Sequence, residues 1–197
     1  MSGILRYITH PQVQIDPLIP VPEWGLSDIG RMRAKQFASL PILEATTAII
    51  SSAEKKAIET AEIVSDAIDV SIEVREKTHE NDRSATGFLE PNEFELVADN
   101  FFAHPRTSIR GWERAIDVQS RIVQEVEQTV ERHAQGDLLM VGHGAVGTLL
   151  YCHLARFKIS REYDQPSGGG HMFAYDLSKS AIVHSWKSIE MLASSSS

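Results

Sequence analysis

The sequence predicts an α/β fold: a three-layer α/β/α sandwich around a mostly parallel sheet, with an antiparallel hairpin at the sheet edge. Strand-like apolar runs alternate with helix-like segments at least three times along the 197 residues, a pattern typical of parallel sheets covered on both faces. The clearest strand, 138–141, leads into His143 between two glycines and then into a helix over 145–155. Near the end, His171–Asp176 and 181–186 flank a short turn and predict the hairpin.

Each earlier element follows from a local signal. Apolar or β-branched runs predict strands, and helical spacing of apolar residues predicts helices. Ser27 is a candidate N-cap for one helix, and Ser51 with Glu54 forms a capping-box pattern before the next. By these signals the strands lie at 4–9, 46–50 and 70–74, and the helices lie at 28–40 and 53–68.

The middle of the chain is the least regular part. Residues 76–110 are polar and interrupted by glycine and proline, and only 93–102 predicts a helix, so we interpret this segment as a lid or substrate loop. An amphipathic helix follows over 112–133, which could pair with a second copy in a homodimer or simply cover the sheet. We expect one domain over 1–192 and a disordered serine-rich tail over 193–197.

Composition disfavours several classes of protein. The net charge of −8 argues against a nucleic-acid binder, which usually carries a basic surface. No apolar run reaches the roughly eighteen residues of a membrane span, and the N-terminus lacks the basic and apolar regions of a secretory signal, so we expect no membrane partner. The single cysteine, Cys152, lies in an apolar helix pattern and is interpreted as a buried thiol, which suits a cytoplasmic location.

Two histidines stand where predicted strands end. His10 follows the first strand and His143 follows the strand at 138–141, so both should lie at the edge where α/β sheets bind ligands. A neutral imidazole can attack phosphorus, and a second can donate a hydrogen bond to charge that develops on a phosphoryl group. Either histidine alone could instead be structural, so the pair indicates phosphate chemistry only together with its neighbours.

Charged residues near the ends of two other predicted strands extend this pattern. The helix start after Ser52 has free backbone N–H groups, and Lys56 in its first turn would attract phosphate. Cleavage of a phosphomonoester also needs a carboxyl that protonates the leaving alcohol. Glu80, Glu76 and Asp82 are the alternatives for that group, with Glu80 preferred.

In combination these segments resemble the histidine phosphatase superfamily, the phosphoglycerate mutase-like proteins, over nearly the whole chain. Thr9-His10-Pro11 stands where that family has Arg-His-Gly, and residues 51–61 resemble its Ser-Ser-Pro-Leu-x-Arg-Ala segment with the following Thr-Ala. Residues 26–30 resemble its Leu-Thr/Ser…Gly signature, 78–80 its Leu-x-Glu acid segment, and 141–145 its Val-x-His-Gly-Gly. The resemblance implies a phosphatase that needs neither a metal nor a cofactor and acts on a small phosphorylated substrate.

Two arginines that hold phosphate in the family appear here as Thr9 and Lys56, and a proline replaces the glycine after His10. Lysine acts as a point charge, whereas arginine grips phosphate through two parallel hydrogen bonds. Arg6, Arg83 and Arg110 could restore the missing charge. Arg83 is preferred, because Arg6 should point to the opposite face of its strand from Thr9.

The resemblance implies a role for each site residue. His10 would form a phosphohistidine, Glu80 would act as acid and then base, and His143 would stabilise the developing charge. The substrate-binding residues implied are Thr9, Ser52, Lys56, Arg83 and Gly144. The altered arginines leave two alternatives open, a degenerate member that binds a phosphorylated ligand without turnover and a phosphoglycerate-mutase-type phosphotransferase. We expect small, modestly charged phosphates as ligands.

Two further interpretations concern the glycines and the remaining histidines. The loop 164–171 contains three consecutive glycines and could bind an anion or serve as a flexible turn. A metal site built from His143, His153 and His171 is disfavoured, because no cysteine or acid stands at ligand spacing from them. We therefore predict no metal ligands.

Overall fold

Six strands form one mixed sheet in the computed structural model, which describes residues 3–194. The strands are β1 (Ile4–Thr9), β2 (Thr46–Ser52), β3 (Ile72–Arg75), β4 (Asp137–Gly142), β5 (His171–Asp176) and β6 (Ala181–Ser188). Their order across the sheet is β3-β2-β4-β1-β5-β6. The first four strands are mutually parallel, while β5 runs antiparallel to β1 and pairs with β6 as a hairpin. The predicted fold class is confirmed.

Helices cover both faces of this sheet. They are α1 (Asp28–Ala38), α2 (Lys55–Ile68), α3 (Pro91–Ala103), α4 (Ala115–Arg132), α5 (Gly144–Leu154) and α6 (Ile189–Ser194). Successive residues of a strand point to opposite faces, so Leu138 and Met140 pack with α3, α4 and α5. Leu139 and Val141 pack with α1, α2 and α6 on the other side. Because β4 is central and buried on both faces, its sequence is almost wholly apolar.

One predicted capping pattern is wrong. Ser27 caps α1 as expected, since its hydroxyl accepts the Gly30 N–H at 3.1 Å. At α2, by contrast, Glu54 itself is the N-cap residue and makes no side-chain cap bond, while Ser51 donates to the carbonyl of Ser52 at 2.9 Å. The helix consequently begins at Lys55 instead of residue 53, and the Glu54 carboxylate is available for other partners.

The segment 76–110 is packed against the body of the protein through α3. Phe101 and Phe102 on this helix are only 1% and 3% exposed, and both belong to the same apolar cluster as α4 and α5. The loops on either side of α3 form the irregular part of the segment.

The end of the described chain is a short helix that the sequence did not indicate. Ala193 and Ser194, predicted to be disordered, are the last residues of α6, and 195–197 lie outside the described residues. Arg33 joins α6 to the loop before β5, because its Nε donates to Glu190 Oε1 at 2.6 Å and its Nη1 donates to the carbonyl oxygen of Gly169 at 3.0 Å. Within residues 3–194, no helix combines the length and the apolar character needed to cross a membrane.

The start of α5 approaches the sheet so closely that only glycine fits at one position. A Cβ atom on Gly147 would lie 2.4 Å from Cε1 of the buried Tyr7 and 3.0 Å from Cη2 of Trp186. The Tyr7 ring is itself stacked on Phe173 at 5.4 Å, so it has little room to move. The glycine therefore permits α5 to begin directly over the end of the sheet.

We predict that Gly147→Ala lowers the free energy of unfolding by about 1–3 kcal/mol, because overpacking forces buried rings out of place. Urea-induced unfolding followed by circular dichroism measures the change. His153→Ala, at an exposed position on the same helix, is the matched control and should stay within about 0.5 kcal/mol of the wild type. An unchanged midpoint for Gly147→Ala would show that the helix can shift away from Tyr7.

Candidate active site

Two histidine rings meet at the carboxyl ends of the adjacent strands β1 and β4. The parallel register pairs Thr9 with Gly142, so the next residues, His10 and His143, are brought side by side. Their ring centroids lie 5.2 Å apart in an edge-on arrangement. The His10 N–H also donates to the carbonyl oxygen of Gly142 at 3.0 Å. The structure thus brings together the two histidines that the sequence singled out.

The hydrogen bond of His10 determines which ring nitrogen is a nucleophile. Its Nδ1 lies 2.8 Å from the carbonyl oxygen of Pro11, which can only accept, so Nδ1 carries the hydrogen. Burial, reinforced by the charge of Lys56, lowers the pKa of His10 to about 4. The ring is therefore neutral near pH 7, with an unprotonated Nε2. Because His10 lines the main cavity described below, this lone pair can attack a bound electrophile.

Hydrogen bonds position both the ring and the backbone of His143. Its Nε2 lies 2.8 Å from the Ser52 hydroxyl, which also accepts the N–H of Glu54 at 3.3 Å. The Tyr7 hydroxyl accepts the His143 N–H at 3.0 Å and donates to its carbonyl oxygen at 3.2 Å. Because Nε2 also lies 3.5 Å from a carboxylate oxygen of Glu54, it can either donate to the Ser52 hydroxyl or accept from it.

The other ring nitrogen of His143, Nδ1, is buried and has no hydrogen-bond partner in the described structure. Burial is also the main reason that the pKa of His143 lies well below its usual value, so the ring is neutral. A buried polar nitrogen without a partner costs free energy unless a ligand completes it, so Nδ1 of His143 is available to a polar group that binds beside His10. Ser52 and His143 are both fully buried, and neither is on the wall of either site cavity.

Lys56 is bound to a neighbouring carboxylate that sequence reasoning assigned to helix capping. Its ammonium group donates to Glu54 Oε2 and, at 2.9 Å, to the carbonyl oxygen of Val21. The other oxygen of Glu54 accepts the Glu80 N–H at 2.8 Å and lies 3.5 Å from Nε2 of His143. Burial raises the pKa of Glu54, but the Lys56 ammonium and the hydrogen bond from the Glu80 N–H outweigh it and hold the pKa below its usual value. Lys56 is thus paired with an anion, and it is on the wall of neither site cavity.

Of the three candidate acids, the structure brings Glu80 to the histidines. Its carboxylate accepts the backbone N–H groups of Ala145 and Val146, at 3.2 Å and 2.9 Å, at the start of α5. Burial raises the pKa of Glu80, as a proton donor near neutral pH requires. Asp82 is exposed, and hydrogen bonds from Ser84 lower its pKa.

Two cavities meet at Glu80. The main one has a volume of about 740 Å³ and a second one, of about 660 Å³, contains Glu54 and Glu76. Glu80, Asn81 and Arg83 line both. The main cavity is also lined by the following residues of the site, of α3 and of the loops around it: His10, Phe94, Phe101, Phe102, Trp112, Gly144, Arg161 and Asp164.

Two side chains at this junction have groups that could meet a ligand. The guanidinium of Arg83 lies 5.1 Å from the centroid of the Phe94 ring, and Arg83 lines both cavities. Asn81 is 4% exposed, and its Nδ2 has no partner within the described residues. Sequence reasoning selected Arg83 but missed Asn81, since a single asparagine in a loop carries no signal of its own.

The other predicted arginine substitutes lie elsewhere. Arg6 pairs with Asp137 at the opposite end of the sheet, as its position on β1 implied. Arg110 pairs with the exposed Glu93 on α3. Thr9, at the place of a family arginine, has a structural bond instead, because its hydroxyl donates to Gln165 Oε1 at 2.6 Å. Arg83 is therefore the candidate that the structure brings to the site.

The glycine loop and the remaining polar residues have structural roles. A Cβ atom on Gly169 would lie 2.3 Å from the carbonyl oxygen of His10, and the Gly170 N–H donates to that oxygen at 3.1 Å. The loop thus packs on the backbone of His10, which favours a turn over an anion site. Cys152 is fully buried, and burial raises its thiol pKa. No group of three or more metal-binding side chains is found in residues 3–194.

Comparison with known proteins identifies a family match and shared folds. The family model described as histidine phosphatase superfamily (branch 1) matches residues 18–176. The match begins after His10, so the role of that residue depends on the geometry above. No curated protein matches the chain.

Solved structures with the same fold include YhfR of Bacillus stearothermophilus, with 23% identity and a TM-score of 0.78 over 93% of this chain and 95% of that one. A mycobacterial glucosyl-3-phosphoglycerate phosphatase in complex with inorganic phosphate has 17% identity and a TM-score of 0.78, over 95% and 98% of the two chains. A phosphoserine phosphatase of Entamoeba histolytica, bound to 3-phosphoglyceric acid, has 15% identity and a TM-score of 0.77, over 96% and 99%. At these low sequence identities, the structural similarity shows only that the chains share a fold.

The lowered pKa of His10 predicts a loss of stability in mild acid. Below about pH 6.5 the unfolded chain takes up a proton at His10, whereas the folded chain does so only near pH 4. The free energy of unfolding should therefore fall through this window, by up to about 3 kcal/mol from His10 alone. Urea titrations between these pH values measure it.

The variant His10→Gln removes this contribution and should show a shallower decline between the two pH values. His153→Gln, at an exposed site, should decline as the wild type does. The low pKa of Glu54 acts in a different window, because its stabilisation is lost only as the pH falls from about 4.5 toward 2. Equal slopes for the wild type and His10→Gln would contradict a neutral buried His10.

Proposed function

Because the chain belongs to branch 1 of the histidine phosphatase superfamily, we propose that it hydrolyses small phosphomonoesters through a phosphohistidine on His10, without a metal ion. The single observation that carries this proposal is the fixed tautomer of His10, whose ring lies beside a second histidine with an unpartnered buried Nδ1. The family membership makes phosphatase activity the expected chemistry. The single buried cysteine is consistent with a cytoplasmic location, which we propose with it.

In the first step, Nε2 of His10 attacks phosphorus with its lone pair, and the bond between phosphorus and the ester oxygen breaks. Glu80 delivers a proton to that oxygen, so the alcohol leaves uncharged. His143 donates from Nδ1 to a phosphoryl oxygen, and Arg83 adds positive charge from the cavity wall. The product of this step is a phosphoramidate on His10 and an ionised Glu80.

In the second step, a water molecule attacks the phosphorus of the phosphohistidine. Glu80 takes up a proton from this water, and the bond between phosphorus and Nε2 breaks with its electron pair returning to His10. Orthophosphate is released, and both side chains regain their starting protonation. The raised pKa of Glu80 favours both roles, because burial makes its carboxyl hold a proton more readily than an exposed glutamate does.

A second candidate function is binding of a phosphorylated ligand without turnover. The observation that favours it is the ion pair between Lys56 and Glu54, together with Thr9 at an arginine position. These features reduce the positive charge available to a phosphoryl group in the transition state. Absence of turnover across a broad panel of phosphate esters, combined with measurable orthophosphate binding, would favour this function over hydrolysis.

We predict that His10→Ala reduces turnover of p-nitrophenyl phosphate, measured with a chelator present, by about 10³-fold or more, as loss of a nucleophile does in other enzymes. The wild type, quenched during turnover, should carry phosphate that is labile to acid and stable to alkali, as a phosphoramidate is. His153→Ala should keep both properties. Activity that survives in His10→Ala would rule out the phosphohistidine mechanism.

We predict that Glu80→Gln loses about 10²–10⁴-fold in kcat/KM on alkyl phosphates, whose leaving groups need a proton. The loss should be much smaller with 2,4-dinitrophenyl phosphate, whose leaving group departs as an anion. Glu76→Gln and Asp82→Asn make the same change in charge at the alternative acids and should retain activity. Equal losses on both kinds of ester would contradict a general-acid role for Glu80.

A further inference from the structure

A buried carboxylate lies beside His143 and lines the second of the two cavities that meet at Glu80. Glu54 is 8% exposed, and one of its oxygens lies 3.5 Å from Nε2 of His143. It accepts hydrogen bonds from the Lys56 ammonium and from the Glu80 N–H. A phosphoryl oxygen bound next to His143 would compete for these same donors. Glu54 therefore holds hydrogen-bonding capacity that a doubly charged phosphoryl group would otherwise use.

The charge of the site follows from these pairs. Lys56 is neutralised by Glu54, and the two histidines are neutral for the reasons given above. Two arginines line the main cavity, but Arg161 is already paired with Glu95. Arg83 makes no ion pair among residues 3–194 and is the one cation left for a ligand on the cavity wall. The site thus offers one uncompensated positive charge.

A phosphomonoester carries one or two negative charges near neutral pH, because its second pKa is about 6. One charge is matched by Arg83, whereas the second meets no other unpaired cation on the cavity wall among the described residues. Lys56 cannot supply that charge, because its ammonium already donates to Glu54. Glu54 consequently disfavours the dianion more than it disfavours the monoanion.

We propose that Glu54 is a specificity-determining residue that makes the site take a singly charged phosphoryl group in preference to a doubly charged one. The inference rests on the proposed phosphoryl chemistry and narrows its substrate class to phosphate esters bound as monoanions. Glu54 acts on the bound group through its charge and through its hold on Lys56. It takes no part in breaking the ester bond.

The test measures binding alone, with two ligands that cannot be hydrolysed. Phenylphosphonate is doubly charged at about pH 8.5, well above the second pKa of such acids, while methylphenylphosphinate has a methyl group in place of one oxygen and carries one charge. Calorimetry gives the dissociation constant of each ligand for the wild type. We expect the wild type to bind the phosphinate at least as tightly as the phosphonate.

Glu54→Gln removes the charge and keeps the shape of the side chain. In this variant the affinity for phenylphosphonate should rise about tenfold or more relative to the phosphinate, since Lys56 becomes available to the second charge. Glu59→Gln is the matched control on α2, because Glu59 pairs with Arg31 away from the histidines and its loss should leave the ratio unchanged. The ratio of two ligands within one protein is insensitive to a partly unfolded fraction.

Three results would overturn the proposal. The first is a wild type that binds the phosphonate at least tenfold more tightly than the phosphinate. This result overturns the proposal even if Glu54→Gln fails to fold. The second is an unchanged ratio of the two dissociation constants in a folded Glu54→Gln variant, which would contradict a role for Glu54 in specificity. The proposed hydrolysis would remain, since His10-dependent turnover is measured separately. Failure of both ligands to bind either protein would overturn the phosphoryl site itself, and the proposed function with it.

Discussion

The parallel pairing of β1 with β4 is the constraint on which the site depends. It sets Thr9 opposite Gly142, so the two histidines that follow emerge at the same height with their rings in contact. A shift of one residue would turn the side chains of a strand to its opposite face and separate the rings. Both strands are buried between two helical layers, and this burial fixes the register through packing on each face.

Tyr7 connects this packing to the chemistry. Its ring is stacked between the sheet and α5, while its hydroxyl bonds both backbone groups of His143. Gly147 lets the helix approach that ring, so one contact positions both the start of α5 and the unpartnered Nδ1 of His143. The apolar core and the polar site are therefore one unit at this point, and neither can be repacked without affecting the other.

Much of the fold could be predicted from the sequence, since long apolar runs and helical periodicity are local properties. All six strands and five of the six helices were anticipated, with ends displaced by a few residues. The short helix α6 was missed because six residues give too little periodicity for a signal. The histidines, Lys56 and Glu80 could be selected because strand ends and family motifs point to them.

The contacts of the Glu54 side chain could not be predicted, because Glu80 and His143 are distant from it in sequence. A capping box explained this glutamate locally, and that explanation was wrong. The partner of Thr9 illustrates the same limit, since Gln165 is 156 positions away. Sequence patterns thus selected residues that the fold brings together, whereas the ion pairs among them emerged only from tertiary contacts.

The hydrogen bonds of Arg33 connect α6 to the loop that packs on the backbone of His10, although α6 is distant from His10 in sequence. This buried guanidinium reaches Glu190 on one side and the loop that supports the His10 backbone on the other. The C-terminal helix thereby supports the loop before β5. Its removal would loosen this loop more than it would disturb the hydrophobic core. Substitutions at Arg33 or Glu190 can consequently change the backbone position of His10, although neither residue lines either cavity.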